Sequence, residues 1–147
     1  MPTTWFVREF ADLTLMQLYS IIQLRERVFV VEQSCAYIDA DGADPASRHL
    51  WAERDGEIVA YLRIVPAGVK FAEVSIGRVI TAPSARGTGM GRELMKRGIA
   101  EVGNATIRIG AQAHLANWYA ELGFEKASDV YWEDNIAHVE MVRAATT

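Results

Sequence analysis

Apolar and polar residues follow one another along the chain in patterns that predict short strands and helices over almost its whole length. A strand-like run at 5–10 precedes a helix whose start carries a capping box, Thr14-x-x-Gln17. The β-branched content rises at 27–31 and indicates that this helix breaks and restarts there. The apolar positions that share one face of the helix, and that we expect to be buried, are Leu15, Leu18, Tyr19 and Ile22.

Three antiparallel strands are expected next, after a turn-rich loop at 34–47. The Asp55-Gly56 pair is a strong signal for a tight hairpin, and Pro66-Ala67-Gly68 supplies a second turn. The strand-like runs that these turns separate are 49–53, 57–65 and 74–81.

A second helix is predicted at 92–102, where the apolar positions return to helical spacing, and it ends at Gly103. Gly98 in its interior should weaken this helix by about 1 kcal/mol relative to alanine. The elements predicted after it are a strand at 105–111, a short helix at 113–122 and two strands at about 124–131 and 138–142. With no repeat or linker, residues 1–147 are expected to form one domain.

Composition and charge narrow the class of protein. A chain of 147 residues, 50% hydrophobic and 23% charged, has the composition of a folded protein with a true core. The net charge of -4, without a basic run, argues against binding to nucleic acid phosphates. The start of the chain has no signal-like segment and the apolar stretch at 28–31 is too short to span a bilayer, so we expect a cytoplasmic protein without membrane contact. The lone Cys35 excludes an internal disulfide.

The glycine loop, residues 86–91 (Arg-Gly-Thr-Gly-Met-Gly), joins the strand at 74–81 to the helix at 92–102. Three glycines let successive backbone amides converge on an anion at the positive end of a helix. A Walker A loop would need Lys-Ser/Thr where Arg92-Glu93 stands, and a dinucleotide fingerprint starting at Gly87 would need glycine at position 92. The loop is therefore interpreted as a pyrophosphate site, and the alternative is an ordinary glycine-rich turn that caps a helix.

The pattern Arg-x-x-Gly-x-Gly resembles the coenzyme A pyrophosphate loop of the GNAT superfamily of acyl-CoA N-acyltransferases. The segment 117–124 is similar to that family's Asn-x-x-Tyr-x-x-x-Gly-Phe signature, with Tyr119 in register and Asn117 one position late. The segments that resemble the ElaA group of this superfamily are 25–33, 39–42, 76–79 and 110–115.

This resemblance implies an α/β (α+β) GNAT fold, with a mixed, mostly antiparallel central sheet flanked by helices. It implies an acetyl-CoA-dependent N-acetyltransferase that acts without a metal on a primary amine of a small molecule or peptide, by direct attack in a ternary complex. It also suggests a homodimer. The residues expected to bind the coenzyme are Val79, Ile80, Thr81, Arg86, Gly87, Thr88, Gly89, Met90, Gly91 and Asn117.

Acyl transfer to an amine needs a neutral amine, which a base or desolvation of the substrate must supply, and an acid for the departing thiolate. Tyr119 is the candidate acid because of its place in the Gly-Phe signature, and the alternative is that it is a core aromatic residue. The candidate bases are Glu32, His114 and Glu133, each in a segment expected near the cleft. His49 and His138 fall in strand-like runs and are assigned to structure.

The acidic loop, residues 39–44, has aspartates at 39, 41 and 44. It does not fit a calcium loop, since its glycine comes fourth and Leu50 occupies the twelfth position. The loop is interpreted as attracting a cationic amine, or else as a plain turn. Two other functions stay open. One is an acyl-homoserine-lactone synthase, because Arg25-x-x-Val28-Phe29 and the acidic loop that follows resemble the N-terminal motifs of those enzymes. The other is a non-catalytic acyl-CoA sensor.

Overall fold

The computed structural model describes residues 2–146, which contain eight strands and three α-helices. The strands are β1 (Thr4–Glu9), β2 (Arg48–Arg54), β3 (Glu57–Val65), β4 (Ser75–Thr81), β5 (Ile107–Gln112), β6 (Glu125–Lys126), β7 (Tyr131–Glu133) and β8 (Ile136–Arg143). The helices are α1 (Leu15–Arg25), α2 (Met90–Val102) and α3 (Ala116–Ala120). Within residues 2–146, no helix combines the length and apolar character needed to cross a bilayer.

The strands form two sheets that meet along one short line. The first sheet is antiparallel in the order β1-β2-β3-β4, and the second has the order β5-β8-β6 with β7 also paired to β8. A single parallel bridge between Val74 and Ile107 connects them, where the Arg108 amide donates to the Val74 carbonyl at 2.9 Å. Beyond this bridge, β4 and β5 share no further pairing among the described residues, so the two strands part and leave a gap.

The first sheet is buried on both faces. Alternate residues of β2 belong to different apolar clusters, because successive side chains of a strand point to opposite faces. Leu50 and Ala52 pack with α2 and the second sheet, whereas Trp51 packs with α1. The two helices therefore cover opposite faces of the sheet, and α2 also spans the junction with the second sheet.

The predicted capping box of α1 is confirmed, since Thr14 Oγ1 accepts from the Gln17 amide at 3.0 Å and Gln17 Oε1 accepts from the Thr14 amide at 2.9 Å. The predicted buried face of the helix is wrong at Leu15 and Tyr19, whereas Leu18 and Ile22 are half-buried. Leu15 and Tyr19 are 87% and 65% exposed. The helix instead buries Ile21, Leu24 and Arg25, because the Arg25 side chain is held inside by two aspartates that the helical pattern alone does not reveal.

The predicted break at 27–31 is also wrong. The helix continues as a π-helical turn over Glu26–Glu32. The amides of Gln33 and Cys35 donate to carbonyls five residues earlier, at 3.2 and 3.1 Å. The wider turn keeps the backbone hydrogen-bonded, which the β-branched residues there would not suggest.

The hairpin at Asp55-Gly56 is confirmed, with both residues in the left-handed region at φ values of 52° and 78°. The strand predicted at 124–131 is wrong in its middle. Lys126 pairs with Met141 and Tyr131 pairs with His138, so five steps along one strand face only three along the other. The surplus residues leave the ladder, and the run divides into the separate strands β6 and β7.

Gly98 explains how closely α2 packs on the first sheet. A Cβ at this position would lie 2.8 Å from Leu62 Cδ2 and 3.3 Å from Leu62 Cδ1. Leu62 is fully buried in the core, so its side chain has no free space to move into. The glycine weakens the isolated helix but allows the helix to contact the sheet.

We expect Gly98→Ala to lower the free energy of unfolding by about 1–2 kcal/mol, because overpacking outweighs the gain in helix propensity. Urea denaturation of the purified protein measures the change. The matched control is Ala100→Gly on the exposed side of α2, which should cost about 1 kcal/mol through propensity alone. A Gly98→Ala protein more stable than wild type would contradict the packing argument.

Candidate functional site

A cleft of about 730 Å³ opens where β4 and β5 part. One wall comes from β4 and from the segment that follows the π-helical turn, including Gln33 and Tyr37. The other wall is the open face of the second sheet, including Gln112 and His138. The cleft therefore lies between the two halves of the fold rather than inside either one.

A β-bulge shapes the β4 wall. Tyr61 pairs with Ile80 and Arg63 pairs with Gly77, so three steps on β4 face two on β3. Arg78 lies in the bulge with a φ of 51°, an uncommon conformation for a residue other than glycine. The bulge interrupts the ladder beside the cleft, and Val79 lines the cleft at this point.

The glycine loop presents free backbone amides. Gly87 and Gly89 have φ values of 75° and 82°, and α2 starts directly after Gly89 without a side-chain cap. The amides of residues 87–91 have no protein acceptor in the part of the chain that the structure describes. At the positive end of a thirteen-residue helix, this arrangement fits an anionic group such as a diphosphate.

Gly91 brings this helix start close to the end of β4. A Cβ at position 91 would lie 3.2 Å from Thr81 Oγ1 and 3.5 Å from a ring carbon of Trp118. Three elements thus meet around one small residue, and the sequence signatures at 86–91 and 117–124 become neighbours in space.

Arg86 already has a partner in this structure. Its guanidinium donates to both carboxylate oxygens of Glu32 at 2.6 and 2.9 Å, and Nε donates to the Thr81 carbonyl at 3.1 Å. The hydrogen bond from Arg86 lowers the pKa of Glu32 below its ordinary value. A lowered pKa makes Glu32 a weaker proton acceptor, so the geometry favours an ion-pair role over the role of base.

Tyr119 lies in the cleft wall with only 7% of its surface exposed. Its ring packs edge-on against Trp118 and Phe124, with centroid distances of 5.0 and 6.0 Å. Burial raises the pKa of Tyr119 to about 12. Its hydroxyl has no hydrogen-bond partner within residues 2–146, yet it is not sealed from solvent. The phenol is therefore protonated at neutral pH, and its hydroxyl is free to donate a hydrogen bond.

The other predicted site residues take different positions. Glu133 lines the cleft and is exposed, whereas His114 and Asn117 are exposed and lie outside its lining. The Ile80 side chain is buried in the cluster beneath α1, so only its backbone can reach a ligand. The roles assigned to these residues stay predictions.

The arginine cluster lies beneath the β4 wall and joins α1, β3 and β4 to the acidic loop. Its members are Arg25, Arg63, Arg78, Asp39, Asp41 and Asp44. Arg25 contacts Asp39 and Asp44, each at 2.7 Å. Arg63 contacts Asp41 at 2.6 Å and Asp44 at 2.9 Å. The interpretation that the acidic loop attracts a cationic amine is wrong, because its carboxylates already neutralise arginines.

Arg78 connects the cluster to the bulge. Its Nε lies 2.8 Å from Asp39 Oδ1 and one Nη lies 3.3 Å from Asp41 Oδ2. Its guanidinium also sits over the Tyr37 ring, 5.8 Å from the centroid. These contacts stabilise the unusual backbone of Arg78 and hold the acidic loop against the cleft.

Sequence patterns identified the acidic loop but not its partners. One signal was available: Arg63 interrupts the apolar run of β3, and a charge inside a buried strand requires a counter-charge.

Within residues 2–146, no group of three or more His, Cys, Asp or Glu residues is suited to hold a metal ion.

The divided sheet, the β4 bulge and the uncapped glycine loop define the class of acyl-CoA N-acyltransferases. The model of the acetyltransferase (GNAT) domain matches residues 21–145, and the chain belongs to this family. It is similar to protein ElaA of Escherichia coli, with 39% identity over 145 residues that cover 95% of each chain. A UPF0039 protein of Synechocystis is 39% identical over 147 residues, which cover 97% of this chain and 96% of that protein.

Solved structures agree with this assignment. A crystal structure of an acyl-CoA N-acyltransferase from Pseudomonas aeruginosa is 42% identical, with a TM-score of 0.93 over 97% of this chain and 100% of the other. The crystal structure of E. coli ElaA is 38% identical, with a TM-score of 0.91 over 97% and 99%. The predicted GNAT fold and the resemblance to the ElaA group are thus confirmed.

We expect Asp44→Asn to lower the free energy of unfolding by about 3 kcal/mol at neutral pH, because it leaves Arg25 and Arg63 buried with less counter-charge. Burial raises the pKa of Asp44, but hydrogen bonds and charge from Arg25 and Arg63 lower it further, to below its ordinary value. This contribution is complete above pH about 4 and is lost as the pH falls below that, so the gap to wild type should close in acid.

Urea denaturation at a series of pH values measures this gap. The control is Asp129→Asn, at an exposed position. A gap that stays constant down to pH about 2 would show that the cluster does not depend on the ionised carboxylate.

Proposed function

We propose that the protein is an acetyl-CoA-dependent N-acetyltransferase that transfers the acetyl group to a primary amine by direct attack in a ternary complex. The observation that carries this proposal is the set of free amides at 87–91 beside a cleft into which Tyr119 presents a protonated hydroxyl. GNAT proteins use acyl-CoA, and the glycine loop has the backbone geometry that a diphosphate needs.

The bulged end of β4 supports the direct attack of the amine on a bound thioester. A bulge leaves a backbone amide unpaired, and an unpaired amide at Val79 would face the carbonyl oxygen of a bound thioester. A fixed donor of this kind lowers the barrier of acyl transfer by about 2.7–4 kcal/mol in comparable sites. Tyr119 would then protonate the departing sulfur.

The structure weakens the synthase alternative. Arg25 and the acidic loop, which resemble the motifs of acyl-homoserine-lactone synthases, are joined in a buried ion cluster that explains their presence without a second substrate. A non-catalytic sensor would bind the coenzyme without releasing thiol, so the same assay separates it from the enzyme.

The decisive experiment measures thiol release from acetyl-CoA with polyamines, amino acids, aminoglycosides and peptides, and identifies the acetylated product by mass spectrometry. Tyr119→Phe should lower kcat by about 100-fold or more, because it removes the proton donor but leaves the ring packing intact. Calorimetry should give an unchanged Kd for coenzyme A.

The matched control is Tyr19→Phe, an exposed tyrosine on α1. Coenzyme binding without thiol release from any acceptor supports the sensor. Unchanged turnover of Tyr119→Phe at saturating substrates removes Tyr119 from the mechanism.

Glu32 competes with a diphosphate for Arg86, and Glu32→Gln tests this. The variant should tighten coenzyme A binding by up to about fivefold, the size expected for releasing an exposed ion pair. The kcat should stay within about twofold of wild type. Calorimetry and steady-state kinetics give both values, with Glu26→Gln as the control in the same helical turn. A fall in kcat of about 100-fold with unchanged coenzyme binding would restore Glu32 as the base.

A further inference from the structure

One row of polar side chains crosses the open face of the second sheet. Gln112 of β5 pairs with His138 of β8, and His138 pairs with Tyr131 of β7. Directly paired residues of an antiparallel ladder point to the same face. All three line the cleft, so this row forms part of its wall.

The tautomer of His138 is set by its own strand. Nδ1 lies 2.7 Å from the carbonyl oxygen of Ile136, which can only accept, so Nδ1 carries the proton. In the neutral ring, Nε2 then holds a free lone pair. No residue within 2–146 bonds to Nε2, and the atom is not sealed from solvent. The Tyr131 ring stacks on the imidazole, with a distance of 5.8 Å between the ring centroids and an interplanar angle of 23°. This stacking restricts the orientation of the imidazole.

The other two histidines offer no such nitrogen in the cleft. His49 is buried, with Nδ1 bound to the Tyr61 hydroxyl at 2.6 Å and Nε2 to the Asp44 carbonyl at 3.0 Å. His114 is exposed and lies outside the cleft lining. His138 is thus the histidine whose position and tautomer both suit a proton acceptor.

The row and the β4 bulge lie the same number of residues from the bridge that joins the two sheets. The sheets meet at Val74 and Ile107, and five residues further along each strand lie Val79 and Gln112. The opposite wall is close, because Gln112 Nε2 donates to Gln33 Oε1 at 3.4 Å across the cleft. An acceptor that approaches a thioester at the bulge would pass the His138 ring.

We propose that Nε2 of His138 is the base that accepts a proton from the ammonium group of the acceptor. This inference rests on the proposed acetyltransferase function. The N–H bond of the ammonium breaks, an Nε2–H bond forms, and the neutral amine attacks the thioester carbonyl. The carbon–sulfur bond then breaks, the sulfur takes a proton from Tyr119, and the second amine proton returns to the phenolate. The imidazolium releases the first proton to solvent.

Several ionisable groups share the cleft with His138. The cleft lining on the same side includes Tyr119, Tyr131, Glu133, Asp134 and Glu140, and the opposite side contributes Cys35, Tyr37, Asp41, Arg63, Lys70, Arg78 and Arg86. Glu140 is paired with Arg108 at 2.9 Å, and Asp41 belongs to the arginine cluster. Glu133 and Asp134 have no ion-pair partner among residues 2–146 and are therefore the rival bases.

The test uses His138→Asn, whose amide can still donate to the Ile136 carbonyl but lacks a nitrogen at the Nε2 position. With an alkylamine acceptor, kcat/KM should fall by about 100-fold or more at pH 7. The loss should shrink as the pH rises toward the pKa of the amine, because free amine then needs no base. Added imidazole should restore part of the rate, and the Kd for coenzyme A should not change.

The comparison variants are Glu133→Gln and Asp134→Asn, which remove the rival bases, and Trp132→Phe, which changes an exposed aromatic residue of β7. Loss of activity that is equal at every pH, or a loss in Glu133→Gln or Asp134→Asn but not in His138→Asn, overturns the proposal. Nitrogen NMR of the unliganded protein reads the tautomer, and a proton on Nε2 of neutral His138 also overturns it. Wild-type protein that releases no thiol with any acceptor overturns the proposed function together with this inference, whereas an active His138→Asn overturns the inference alone.

Discussion

The arginine cluster is the interaction on which the rest of the site depends. Three arginines from α1, β3 and β4 share three aspartates of one loop, and Arg25 and Arg63 are each 1% exposed. Burying such charges costs several kcal/mol per ion unless each is paired. The same pairs hold the acidic loop against the first sheet and Arg78 in the bulge, so one set of contacts positions both the β4 wall and the acidic loop beside the cleft.

The cleft forms because the two sheets are joined at a single bridge. A single parallel bridge starts β4 and β5 side by side, and the bulge then turns β4 away. The gap that results contains the bulge residues and Arg86 in its lining, and the free amides of the glycine loop follow directly after Arg86. Backbone amides recognise a diphosphate and a carbonyl oxygen with few demands on side chains. This explains why short sequence signatures identify the coenzyme class but carry no information about the acceptor.

Features that depend on neighbouring residues could be predicted from the sequence, and features that depend on distant partners could not. The capping box at Thr14 and the hairpin at Asp55-Gly56 are local, and both are confirmed. The prediction of the buried face of α1 is wrong in part, because Arg25 is buried by aspartates fourteen and nineteen residues away. In the site, glycine spacing located the loop at 86–91, whereas the tautomer of His138 depends on a hydrogen bond that no pattern encodes.

The proposed acyl transfer requires the proton donor and the proton acceptor to act together. A phenol whose pKa is raised to about 12 stays protonated at neutral pH but gives its proton to a thiolate reluctantly, since an ordinary thiol has a pKa of about 8.5. A complete transfer from one to the other would be uphill by about 3.5 pKa units, or roughly 4.8 kcal/mol. The phenol can therefore serve only if its proton is replaced as it leaves, and the second proton of the attacking amine is the one available. Such a relay works only for an amine that has already lost its first proton, so at neutral pH the proposed transfer also needs a route, separate from Tyr119, by which the ammonium group loses that proton.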